Sequence, residues 1–315
     1  MEYTDFLKTK EKSFISSGFE IEESALNNNL FDFQKHVVKI ALSKGRFALF
    51  EDCGLGKTIQ QLAWANAVYD YTGMPVLILA PLAVVAQTKD ESIKFGINQD
   101  SFYITNYEQL ENIDTSKYSG VVLDESSILK GKDGKRSKLI IETFKNTPYK
   151  LACTATPSPN DHSELGQHAE FLSVDTYDNM KSMFFIQDQK IKTNDKWRLK
   201  KHAKDDFWTW VCTWSVSIDN PNSLGFEDKG YDLPEIEYIE HIIKVENTSS
   251  NLFGDVAVSA TELHRDLKRS FDSRIQKTTE LVNSNDEQWI VWTLKNDEAT
   301  ELKKVLSDSV NVQGS

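Results

Sequence analysis

Eight consecutive residues, Glu51-Asp52-Cys53-Gly54-Leu55-Gly56-Lys57-Thr58, bring together two glycines, a lysine and a hydroxyl. They follow an apolar run, Arg46–Phe50, and open a helical one. Main-chain N–H groups and a helix N-terminus would therefore converge on one point, which suits a polyphosphate. Gly54 and Gly56, on either side of Leu55, let the backbone turn closely against the anion. Lys57 would reach the outer phosphates, and Thr58 would place its hydroxyl on Mg2+. The alternative is an ordinary glycine turn before a helix. The common form of this loop carries a small residue where Glu51 stands.

Hydrolysis of a bound triphosphate also needs acids on a neighbouring strand. Val121-Val122-Leu123-Asp124-Glu125 is an apolar run ending in two carboxylates. Asp124 would hold the metal through water, and Glu125 would orient or deprotonate the attacking water. Upstream, Phe31-Asp32-Phe33-Gln34 offers an amide that can pair with an adenine edge beside Phe31 or Phe33 as a stacking ring. The competing reading of Gln34 is a surface glutamine next to two core phenylalanines.

These groups need a scaffold, and the hydrophobic pattern predicts one. Short apolar runs at Arg46–Phe50, Val76–Ala80, Phe102–Thr105, Val121–Leu123 and Lys150–Cys153 alternate with longer helical stretches such as Thr58–Tyr69. Continuously apolar strands separated by helices predict a parallel sheet with helices on both faces. Residues 1–162 are assigned to this α/β P-loop domain. From about Ser163 to Ser217 the chain reads as helical, and 163–232 is expected to form a helical insertion carrying four tryptophans, Trp197, Trp208, Trp210 and Trp214. Leu233-Pro234 breaks the pattern, and 233–259 is read as a β-run, Ile236–Val245, followed by a polar linker at Asn247–Asn251. For 260–315 the expectation is a long helix to about Val282, a strand at Trp289–Thr293, a helix at Asp297–Leu306 and a strand at Val310–Val312.

Composition bounds the partners. Hydrophobic residues make up 39% and charged residues 27%, values of a globular chain. No apolar run approaches the roughly 20 residues that span a bilayer, and the N-terminus lacks the pattern of a signal peptide. The expectation is a cytoplasmic protein with no membrane partner. Cys53, Cys153 and Cys212 have no CxxC spacing, so neither zinc nor a disulfide framework is suggested. A net charge of −12 argues against nucleic acid in bulk. Local clusters argue the other way. Lys130, Lys132, Lys135, Arg136 and Lys138 form one, and Lys190, Lys192, Lys196, Arg198, Lys200, Lys201 and Lys204 around Trp197 form another. Either cluster is a backbone-binding track or a solvated lysine-rich face.

In their order, Gln34, the Glu51–Thr58 loop, Asp124-Glu125 and Thr154-Ala155-Thr156-Pro157 resemble the motifs of superfamily-two helicases. Among these the Swi/Snf-type translocases are most similar, since they too carry an acidic pair before the glycine loop. Leu79-Ala80-Pro81-Leu82 and Ile104-Thr105-Asn106-Tyr107-Glu108 resemble two further motifs, which implies backbone contacts near Pro81, Thr105 and Asn106. By the same resemblance, Thr154 and Thr156 would belong to the family's segment that couples hydrolysis to movement. Ile290-Val291-Trp292-Thr293 and Gln313-Gly314-Ser315 resemble the opening of the second RecA-like domain, which is expected to be incomplete at Ser315. Ser126-Ser127 stand where the branch has Ala-His or Gly-His, and Ile218-Asp219-Asn220 where it has an arginine pair. The style is most like short helicases of bacteriophage genomes, working in a bacterial host. The resemblance implies ATP and Mg2+ as cofactors and duplex DNA as the partner. It also implies weak turnover unless a second lobe, or a protein in trans, supplies arginines.

Overall fold

The structure is a computed structural model that describes residues 16–131, 134–187, 197–228, 230–231, 234–243 and 260–312. It divides into two compact units, Met1–Leu233 and Pro234–Ser315.

The first unit is built on a six-stranded sheet whose strands are all parallel: β1 (Arg46–Glu51), β2 (Val76–Ala80), β3 (Phe102–Asn106), β4 (Gly120–Asp124), β5 (Tyr149–Thr154) and β8 (Ser215–Ile218). Their order is β3-β2-β4-β5-β1-β8. Because successive side chains point to opposite faces, each strand feeds two cores. Phe47 and Leu49 of β1 join Val76 and Ile78 of β2 on one face, covered by α1 (Asp32–Lys44) and α2 (Lys57–Thr72). Ala48 and Phe50 join Leu77, Leu79 and Leu123 on the other. That face is covered by α4 (Lys135–Thr143), α5 (Leu165–Phe171) and α7 (Lys204–Cys212) through Ile140, Ala169, Phe207 and Val211. The third helix, α3 (Leu82–Lys94), follows β2. Burial on both faces explains why these strands read as unbroken apolar runs.

The segment expected to be helical up to Ser217 departs from that reading. It holds α5, α6 (Tyr177–Phe184), the antiparallel pair β6 (Phe185–Gln187) and β7 (Trp197–Leu199), and α7. Then Ser215–Ile218 leaves the helices and pairs with β1 from Ala48 to Glu51. The backbone groups on the open side of β1 need partners, and this short β-prone run supplies them.

The second unit contains α8 (Ala260–Arg269), α9 (Phe271–Val282) and α10 (Asn296–Val305). The expected continuous helix is interrupted at Ser270, whose hydroxyl and the Leu267 carbonyl both accept from the Arg274 guanidinium. Arg274 also pairs with Glu298 of α10. No strand forms among the described residues at 234–243, 289–293 or 310–312. Strand character needs a hydrogen-bonded neighbour, and these runs have none; Ile290 is 81% and Trp292 92% exposed. The expected linker at Asn247–Asn251, Leu233 and the Gln313-Gly314-Ser315 turn lie outside the described residues.

Candidate active site

In a parallel sheet the carboxyl ends of all strands share one edge, where loops can converge. Glu51 of β1, Asp124 of β4 and Thr154 of β5 all end their strands there, with Phe50 in register with Thr154 and Asp124 with Cys153. The loop after β1 turns through left-handed Gly54 (φ 83°) and Gly56 (φ 77°) into α2. A side chain at Gly56 would be strained and would set its Cβ 2.4 Å from the Gln34 amide nitrogen. Lys57 begins α2, and Thr58 follows it. The Lys57 ammonium donates to the carbonyls of Glu51 (2.8 Å) and Asp52 (3.0 Å). It is thus held by the carbonyls of its own loop.

The link between this loop and the acids is a residue that the sequence motifs did not single out. Gln61, one turn along α2 from Lys57 and buried, donates to Asp124 Oδ1 at 2.7 Å. Its neighbour Gln60, also buried, donates to Glu51 Oε2 at 2.7 Å. Two adjacent glutamines on a helix whose other inward residues are apolar are the only signal that could have marked them. Burial pushes the Asp124 carboxyl above its usual range, against the opposing pull of Gln61 and Lys57. Glu51, fully buried, is pushed up to about 7 by desolvation, with Gln60 and Lys57 pulling it down. Two carboxyls held towards neutrality around a single lysine make a site short of positive charge. A divalent cation would offset that shortage, and Asp124 and the half-buried Thr58 are the oxygen donors that would hold one.

Glu125 is exposed and adopts a left-handed backbone, φ 53°, ψ 54°. Thr154 Oγ1 lies 3.4 Å from its Oε2 and accepts from the Thr156 amide at 3.1 Å. The Tyr107 hydroxyl donates to the Asp124 carbonyl at 2.6 Å. Thr154, expected from its motif, therefore touches the second acid, while Tyr107 is a further unsuspected support.

Gln34 is not a surface residue. It is 2% exposed, its Oε1 accepts from the Phe31 amide (2.9 Å) and its Nε2 donates to the Leu55 carbonyl (2.9 Å). The amide thus ties α1 to the glycine loop. Phe33 is buried and Phe31 is 62% exposed, and Tyr231 stands edge-on to both rings, at 5.7 and 6.5 Å. A cavity of about 740 Å³ elsewhere, between 19–29 and the later turns of α2, contains none of these residues.

The expected nucleic-acid residues are more dispersed. Pro81 caps α3 at the end of β2, and Asn106 at the end of β3 accepts from the Gln109 amide with its side chain; Thr105 precedes it. Arg136 pairs with Glu108 at 3.0 Å. Lys200 donates to the carbonyls of Ser182 and Met183, closing the end of α6. The Trp197 ring is covered by the Lys181 ammonium at 4.6 Å. Lys130, Arg198 and Lys201 are exposed, while Lys132 and Lys196 lie outside the described residues. Among the described residues no helix is long and apolar enough to cross a membrane, and no cluster of three metal-ligating His, Cys, Asp or Glu side chains occurs.

No known family profile matches the chain. Over 180 residues, half of its length, it is 27% identical to the SWI/SNF-related matrix-associated actin-dependent regulator of chromatin subfamily A-like protein 1 homolog of Caenorhabditis elegans, of which the match covers 26%. The Xenopus tropicalis protein of the corresponding name is 28% identical over 164 residues, 45% of this chain and 17% of that protein. The DNA annealing helicase and endonuclease ZRANB3 of Mus musculus is 26% identical over 176 residues, 47% of this chain and 16% of its own length. The chain thus spans about a quarter or less of the curated relatives it matches. Among solved structures, the Sulfolobus solfataricus SWI2/SNF2 ATPase core in complex with dsDNA superposes with a TM-score of 0.53 at 19% identity, over 91% of this chain and 60% of that one. This last likeness shows the fold alone, a RecA-like parallel α/β sheet flanked by helices. The sequence relatives support the wider superfamily that the motifs resemble.

Proposed function

We propose that this chain is the ATP-binding and hydrolysing portion of a nucleic-acid translocase whose track is duplex DNA. The observation that carries the proposal is the convergence of the Lys57 loop, Asp124 and Glu125 at one edge of one sheet, with Gln61 bridging loop helix and acid at 2.7 Å. In this reading the amides of 54–58 cradle the phosphates, and Lys57 leaves the Glu51 and Asp52 carbonyls to neutralise the outer ones. Thr58 and Asp124 would hold Mg2+, which when bound would offset charge on the phosphate oxygens. Glu125 orients water for attack, and Thr154 senses the carboxylate through its hydroxyl. Gln34, Phe33, Phe31 and Tyr231 gather at the end where the base would lie.

The track is assigned from the relatives, one named as a DNA annealing helicase and one solved structure named as a complex with dsDNA. Pro81, Thr105 and Asn106 at the carboxyl edge, with Lys130, Lys201 and Arg198, are the proposed backbone contacts. The motif style points to a phage-encoded protein working in the cytoplasm of a bacterial host. The test is ATP hydrolysis with and without duplex DNA at two salt concentrations. Stimulation by DNA that fades as salt rises is expected. Equal rates with and without DNA would remove the track, and ATP binding with no hydrolysis under any condition would favour a nucleotide-binding regulator instead.

A further inference from the structure

Glu125 is one of two non-glycine residues with positive φ among those described. A non-glycine residue in this region is strained and persists only where the surroundings impose it. Its hydrogen-bond neighbours account for part of the constraint: the Tyr107 hydroxyl on the Asp124 carbonyl, and the Ile128 amide on the Glu125 carbonyl at 3.2 Å. The rest comes from the far side. Ser126, the residue after Glu125, is fully buried, and its Oγ lies 3.1 Å from Nε2 of His168. His168 is itself fully buried on α5, among Leu165, Ala169 and Phe171. Its ring stands edge-on to Phe50, centroids 5.3 Å apart and planes at 88°. Phe50 is the residue before Glu51, where the phosphate loop starts. One imidazole therefore touches the strand that launches the glycine loop and the turn that presents the second acid.

We infer that His168 is a positioning residue, which fixes the backbone of Glu125 through Ser126 so that its carboxylate addresses the attacking water. The inference rests on the nucleotide-hydrolysing reading above. His168 touches no expected substrate atom; it acts by holding the serine. Burial drives its pKa down to about 4, against weaker opposing pulls from the backbone at Glu164 and Ser126, so the ring is neutral wherever the protein would work. A neutral imidazole hydrogen-bonded to one hydroxyl is a hinge-free brace. A group that orients a reactant can matter greatly without binding it, since about 1 Å of misplacement costs about 100-fold in rate.

The experiment compares Ser126→Ala, His168→Leu, His168→Gln and the Ser126→Ala/His168→Leu pair in the full chain with duplex DNA. Two quantities are read, kcat for Mg-ATP and the Kd of a non-hydrolysable ATP analogue. Ser126→Ala and His168→Leu should each lower kcat by about 10- to 100-fold, with analogue Kd within twofold of wild type. The pair should be no slower than either alone, and His168→Gln, which keeps a polar atom near Nε2, should recover most of the rate. A Ser126→Ala variant with at least half the wild-type kcat overturns the inference, even if His168→Leu fails to fold. So does a folded His168→Gln as slow as His168→Leu, because packing alone would then explain the position. Parallel loss of kcat and analogue binding overturns it as well. A wild-type chain that does not bind the analogue, or binds it and never hydrolyses ATP, overturns the hydrolytic reading itself and this inference with it.

Discussion

Val76–Ala80 and Trp289–Thr293 read alike in sequence, as apolar runs of strand length, and they end in opposite situations. The first is buried at every position, with β3 on one side, β4 on the other and a core on each face. The second forms no strand, and Ile290 and Trp292 stand in solvent. A run of apolar residues states a demand for burial and for backbone partners. Only the surrounding elements decide whether the demand is met. In the first unit the crossovers return each strand beside another, and the functional edge is a by-product of that regularity. Among its described residues the second unit has three helices, with Ile275 and Leu302 buried, and no sheet.

Cutting one residue of each kind should break the likeness in measurable terms. Leu79→Ala removes a fully buried side chain of β2 and should cost the first unit about 3 kcal/mol in urea unfolding. Glu51→Gln should have an effect almost as large, but only at high pH. The folded carboxyl titrates near 7 against an ordinary 4.5, so the folded state holds its proton more tightly. Wild-type stability from this group is present below about pH 4.5 and lost as pH rises through 7. The amide variant should therefore be more stable than wild type by up to about 3 kcal/mol at pH 8, and equal to it near pH 4.5. A constant difference across that range would mean that Glu51 is not buried as a neutral acid. The smallest effect belongs to the second unit. Trp292→Ala, at a side chain 92% exposed, should change stability by less than about 0.5 kcal/mol. A loss as large as that of Leu79→Ala would show that the run is buried in solution, and the contrast would disappear.

The sequence points to those parts of the candidate site whose chemistry demands a residue type at a fixed spacing. Gly54, Gly56, Lys57, Asp124 and Thr154 are legible because a loop at a strand end, a helix start and an acid on a nearby strand each have few substitutes. Gln34 was recognised as a candidate, yet its burial and its bond to the Leu55 carbonyl depend on how α1 meets the loop, which no local pattern encodes. Gln61 and His168 escaped because each works through a partner distant in the chain: 63 residues separate Gln61 from Asp124, and 42 separate His168 from Ser126, while Gln60 and Tyr107 reach Glu51 and Asp124 over 9 and 17 residues through packing that no local spacing marks. The lysine-rich stretches were legible as charge only. Long flexible side chains settle on whatever acceptor is near, as Lys200 does on the last carbonyls of α6 and Arg136 on Glu108. β8 looks helical in sequence because its four residues carry little pattern of their own; the open edge of β1 recruits them.

The most direct test of the central claim is calorimetric titration of the chain and its Lys57→Ala variant with ATP in the presence of Mg2+, alongside circular dichroism of both. The variant should keep its spectrum and melting point and lose affinity by about 10- to 100-fold, the value of a charge-assisted bond of roughly 1.5–3 kcal/mol. Equal affinities for two folded proteins would mean that the loop after β1 does not hold the phosphates.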